Sequence, residues 1–123
     1  MLCQLCAAWR ARRVLLISEG KDAGATLQSW LTILGARCVI LPPDTSAEEL
    51  YRALTAGRTF AVIVCDGAAS ETLLCEIRET GVPLTILCSK GDAQEIALRA
   101  LHLGERFLSE SMPCGVYDLN NFS

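Results

Sequence analysis

Short aliphatic runs of strand length recur along the chain, each followed by a longer segment with helical periodicity. RVLLIS (13–18), CVILPP (38–43), FAVIVCD (60–66) and LTILCS (84–89) are continuously apolar rather than alternating. That is the pattern of strands buried on both faces, as in a parallel sheet. Between the first two runs, Leu27, Trp30, Leu31 and Leu34 recur at the spacing of one helix face, and Gly35 stops that helix. Ser46 followed by Glu49 at capping-box spacing opens a helix to about Gly57, with Leu50 and Leu54 inward. A helix over 70–80 turns Leu73, Leu74 and Ile77 inward, and another over 92–103 does so with Ile96, Ala97, Ala100 and Leu103. RFLS (106–109) reads as a short fifth strand, after which Met112-Pro113 turns the chain. Strands alternating with helices predict an α/β fold, a doubly wound five-stranded parallel sheet. CGVYDLNNFS at the end has no helical period, so the last helix of such a fold is expected to be missing or irregular.

With 123 residues the chain suits one domain. The expected divisions are a linker segment at 1–12, a domain at 13–113 and an irregular tail at 114–123. MLCQLCAAWRARR does not read as a secretory signal, because its positive charges follow the short apolar stretch; it suits the end of a linker helix from a preceding domain. No apolar run approaches the ~20 residues that span a bilayer. Net charge is −3, with both signs interspersed and no basic cluster beyond Arg10, Arg12 and Arg13, which argues against nucleic-acid binding. The seven cysteines are odd in number, and Cys38, Cys65 and Cys88 sit inside apolar runs, as in a reduced cytoplasmic protein. Cys3 and Cys6 form a CxxC without a second ligand pair and without a preceding strand, so it fits neither a zinc nor a redox site.

In open parallel sheets, ligands gather at the carboxyl ends of the strands, where strand order reverses. The residues expected there are Ser18-Glu19 after the first strand, Asp66-Gly67 after the third and Cys88-Ser89-Lys90 after the fourth. Glu19 and Asp66 come together if the first and third strands pair. Two close carboxylates favour a hard divalent cation such as Mg²⁺, which makes them metal candidates. The alternative, in which they start loops and cap helices, stays open at this point.

In these features the sequence resembles the receiver domains of two-component signalling, over about residues 13–113. RVLLISEG stands where receivers have a first strand closing in an acidic pair, and FAVIVCD where the third strand closes in the phosphoacceptor aspartate, which matches Asp66. VPLTILCS is similar to the fourth strand with its terminal hydroxyl residue, here Cys88 or Ser89. ALRALHLGERFLSESMP resembles the fourth helix and fifth strand, with Phe107 near the switch aromatic. The resemblance implies a flavodoxin-like sheet, cytoplasmic placement and docking on a histidine kinase core or another receiver, as for receiver-like domains inside hybrid sensor kinases.

The departures shape the functional expectation. One carboxylate of the acidic pair is Ser18, and the lysine of the closing Lys-Pro pair is absent from Ser109-Glu110-Ser111-Met112-Pro113. Phosphoryl transfer relies on positioned cations, and losing one preorganised contact costs roughly 3–4 kcal/mol of transition-state stabilisation. Lys90 is the remaining candidate cation. The expectation is therefore a non-catalytic module with Asp66 vestigial, no cofactor, and docking surfaces as its business. A sheet edge or helix face left bare by the absent last helix would favour a homodimer.

Two alternatives stand beside it. Asp66 is a working acceptor, with Glu19 and the carbonyl of Ala68 holding Mg²⁺. Or the domain binds a small molecule, because SEGKDAGA (18–25) is similar to the cobalamin-binding loop, with Glu19, Lys21 and Gly24 at its motif positions. Lysine is no substitute for the cobalt-ligating imidazole there, and His102 lies inside a helix.

Overall fold

A computed structural model describes residues 2–65 and 71–120. The elements are α1 (Leu2–Trp9), β1 (Arg13–Ile17), α2 (Ala23–Ile33), β2 (Arg37–Leu41), α3 (Ala47–Thr55), β3 (Thr59–Val64), α4 (Glu71–Glu79), β4 (Leu84–Leu87), α5 (Ala93–Ser109) and β5 (Gly115–Asp118). All strand pairs are parallel and run in the order β2-β1-β3-β4-β5, the flavodoxin-like arrangement. Helix starts follow their sequence signals: Ser46 Oγ accepts the Glu49 amide at 3.2 Å, and Asp92 Oδ1 accepts that of Glu95 at 2.9 Å.

Alternate residues of each strand feed two cores. Val14 and Leu16 of β1, Ala61 and Ile63 of β3, and Leu84 and Ile86 of β4 pack under α1, α2 and α5. Leu15, Ile17, Val62 and Val64 point the other way, under α3 and α4. This division fixes the sense of the crossovers. β2-α3-β3 and β3-α4-β4 move one way across the sheet with their helices on one face. β1-α2-β2 moves the other way with its helix on the opposite face, so these three share one hand. β4-α5-β5 continues in the direction of β3-α4-β4 but puts α5 on the α2 face, and so has the opposite hand. Parallel crossovers are right-handed in ~98% of cases, so this connection is an exception that needs a compensating contact.

That contact is with α1. Trp9 is fully buried, and its Nε1 donates to the Leu101 carbonyl at 3.0 Å. The indole lies on Gly104, where an added Cβ would come 2.0 Å from Trp9 Cζ2. Truncating a buried tryptophan typically costs about 3–5 kcal/mol, so this contact is large enough to decide where α5 lies.

Four expectations change accordingly. Residues 106–109 are not a strand but the last turn of α5, because the apolar period continues through Leu101, Leu103, Gly104 and Phe107. Phe107 is therefore no switch aromatic on a sheet edge; it is buried and makes edge-to-face contacts with Phe60 and Tyr117. The fifth strand lies in the expected irregular tail, held by Gly115 N to Pro83 O and Leu119 N to Leu87 O, both at 3.0 Å. Segment 1–12 is not a free linker, since Leu5, Ala8 and Trp9 of α1 belong to the first core. No helix follows β5 among the described residues. None of the described helices is long and apolar enough to cross a membrane.

Candidate functional site at the carboxyl end of the sheet

β1 and β3 are neighbours, so strand order reverses between them and the crevice opens where Ser18 and Cys65 leave the sheet. Ser18 is buried. Its amide donates to Leu41 O at 3.0 Å, and its Oγ accepts from the Gly20 amide at 3.0 Å. Gly24, in the first turn of α2, lies so close that a Cβ would stand 1.8 Å from Ser18 Oγ. The Ser18 hydroxyl is thus enclosed in the loop's own bonding.

Glu19 is exposed and pairs with Lys21 Nζ at 3.3 Å, with 59% and 70% of the two side chains accessible. Such a pair adds little stability, and it occupies two of the three residues that the cobalamin-like motif would use. His102 is exposed on α5. Asp66 lies outside the described residues, as does the carbonyl of Ala68. The residue before it, Cys65, is buried, with its amide on Ile17 O at 3.0 Å.

Across the crevice, Cys88 is buried with its amide on Val64 O at 2.8 Å, and Ser89 Oγ donates to Asn120 Oδ1 at 2.7 Å. Asp118 closes β5, and its Oδ1 accepts the Asn120 amide at 2.9 Å. The true end of the fifth strand therefore presents Asp118, Leu119 and Asn120. Glu110 follows α5, which runs back from β4's carboxyl end, and so lies at the opposite end of the sheet. Arg99 on α5 donates to the Leu119 carbonyl, so that guanidinium braces the strand end. Lys90 is exposed on its loop. Among the described residues, no three His, Cys, Asp or Glu side chains are grouped to hold a metal ion.

Comparison with protein-family models, curated proteins and solved structures returns no match for this chain.

A cavity lies outside this crevice. It opens at the amino end of the sheet, has a volume of about 940 Å³, and is lined by Arg12, Arg13, Arg37 and Arg58. Arg12 and Arg13 belong to the short basic stretch near the start of the chain, but Arg37 and Arg58 are far from it in sequence. The available signal was positional: Arg13 and Arg37 open their strands, and Arg58 immediately precedes β3. Parallel pairing brings all strand starts to one end.

Proposed function

We propose that this chain is a receiver-like signalling module of a two-component phosphorelay that docks on a histidine kinase core or another receiver and does not carry phosphate. The observation that carries this reading is the end of β5, which closes in Asp118 and Asn120 rather than a lysine, while the Arg99 guanidinium there is engaged on the Leu119 carbonyl. Phosphoryl transfer at the end of β3, two strands away, relies on a positioned cation, and the end of β5 offers no lysine for that role. The strand order supports the receiver-like reading, and the enclosed Ser18 and the Ser89–Asn120 bond support the loss of chemistry. The reversed crossover moves α5 off the α4 side, so its docking faces differ from those of a regular doubly wound domain. The free thiols of Cys6, Cys38, Cys65, Cys75, Cys88 and Cys114 suit a reducing cytoplasm.

The test is incubation with acetyl phosphate and Mg²⁺, followed by intact mass, beside an Asp66→Asn variant. The expected result is no adduct in either protein. An adduct that forms in the parent and disappears in the variant makes Asp66 a working acceptor, with Mg²⁺ as its cofactor, and the non-catalytic reading fails.

A further inference from the structure

A cleft at the amino end of the sheet collects positive charge without any carboxylate to balance it. Four of the eleven basic residues line it, and none of the described acidic residues does. The described ion pairs are Lys21–Glu19, Arg52–Glu48 and Arg106–Glu110, so all four cleft arginines remain outside them.

Two of the four have a structural duty. Helices return antiparallel to the strands, so their carboxyl ends gather here with unpaired carbonyls that attract cations. Arg12 Nε donates to the Ala8 carbonyl at the end of α1, and its guanidinium lies 4.7 Å from the Phe60 ring centroid. Arg13 Nη2 donates to Ala53 O in α3 at 2.9 Å. That duty leaves Arg13 Nε buried and without an acceptor among the described residues. Capping explains neither Arg37 nor Arg58, whose exposed side chains engage no partner among the described residues.

The sheet adds to the cost of this arrangement. Arg13 is in direct register with Arg37 on β2 and Thr59 on β3, which sets two guanidinium stems side by side. Like charges at facing positions destabilise a sheet. Between Arg13 and Val14 the β1–β3 register slips by one residue, leaving Phe60 as the extra residue of a bulge at the mouth of the cleft. Gly57 lets the Arg13 stem cross, since a Cβ there would stand 3.3 Å from Arg13 Cδ.

We propose that this cleft binds a small polyphosphate ligand. Planar guanidinium forks match phosphate oxygens with paired hydrogen bonds, and a multivalent anion relieves the Arg13–Arg37 repulsion. Leu54, Phe60, Val82 and Pro83 give the cleft an apolar wall, and its volume falls in the range of small-molecule sites, ~300–1,000 Å³. The site lies at the opposite end of the sheet from Asp66, so it stands whether or not that aspartate is ever phosphorylated.

Amide chemical-shift titration of the intact chain tests this, with inorganic pyrophosphate and a nucleoside diphosphate as probes. The expected result is saturable shifts at Arg13, Gly57, Thr59 and Gly81, weakened by salt. Arg37→Gln and Arg58→Gln, both at exposed positions, each weaken binding roughly tenfold, the scale of one charge-assisted contact. Arg52→Gln, outside the cleft, leaves it unchanged. Tighter binding of the nucleotide assigns the apolar wall to its base, and equal binding assigns recognition to phosphate alone. Absence of saturable shifts with both probes overturns the proposal, as does an equal loss in Arg52→Gln. Binding of an Asp/Glu-rich peptide where pyrophosphate fails also overturns it.

Discussion

The two ends of the sheet differ in how completely their polar groups are committed. At the carboxyl end, where α/β domains usually keep their chemistry, Ser18, Ser89 and Asp118 are all engaged in local hydrogen bonds. The amino end, usually the structural one, holds four arginines, of which two are unengaged and one has a buried orphan N–H. A polar group satisfied by its neighbours has little left to offer a ligand, whereas an unsatisfied buried donor costs stability until something accepts from it. Among the described residues, the strand ends where α/β domains usually bind ligands and the least committed polar groups lie at opposite ends of the sheet.

A pair of glycines breaks or upholds that contrast with the largest effect. Gly104 near the amino end abuts a buried, hydrogen-bonded indole, and Gly24 at the carboxyl end abuts Ser18. Gly104→Ala is expected to destabilise by about 3 kcal/mol, the upper end for overpacking. Gly24→Ala costs less, about 1–2 kcal/mol, because it displaces a loop residue rather than a helix–helix contact. Denaturant melts of both variants check the order. Trp9→Leu together with Gly104→Ala should lose less than the sum of the singles, since the smaller side chain makes room for the new methyl. A larger loss in Gly24→Ala would make the carboxyl end the stiffer of the two.

The same contact explains where the sequence misleads. Gly104 after a helical stretch looks like a stop, and RFLS behind it looks like a strand, so the helix is read six residues short. Its real role is to admit Trp9, a residue ninety-five positions earlier, and no local pattern carries that information. β5 is invisible for a related reason: GVYD is a short edge strand with one aliphatic residue. The first four strands were legible because their runs are continuously apolar, as parallel strands covered by helices are, although edge strand β2 is only half-buried. At the carboxyl end Ser18, Cys88 and Ser89 could be named in advance, but not the bonds that occupy them. The arginine cleft was hidden because parallel topology, not sequence proximity, assembles it.

A smaller effect sharpens the reading of the amino end. If Arg13 and Arg37 repel across registered positions, Arg37→Gln should raise stability by about 0.2–1 kcal/mol at low ionic strength. The gain should shrink as salt is added, because an exposed charge is screened within ~10 Å at 0.1 M. Thermal melts at low and high salt measure it. With pyrophosphate present the sign should reverse, because the parent protein then gains more from its ligand than the variant does. A variant less stable at every salt concentration would mean that Arg37 supports the edge strand by packing, and the charge argument at this end would lose its energetic basis.

The thiols give the smallest signal and the broadest map. Cys65 and Cys88 at the carboxyl end are buried, whereas Cys114, beside the start of β5, and Cys75 on α4 are exposed. Alkylation followed by mass spectrometry should therefore label Cys75 and Cys114 first and leave Cys65 and Cys88 until the sheet opens. Cys38, on edge strand β2, is half-buried, and burial followed by the nearby Cys65 pushes its thiol from 9.0 up to about 11. Its labelling should stay slow at pH 8 and accelerate only as pH approaches that value. Between these two values the unfolded chain loses the Cys38 proton while the folded protein keeps it, so stability falls as pH rises through this window. Cys38→Ala removes that part of the slope. Rapid labelling of Cys38 at pH 8 together with Cys114 would instead mean that β2 opens locally, and the protection seen along the rest of the sheet would not extend to its first edge.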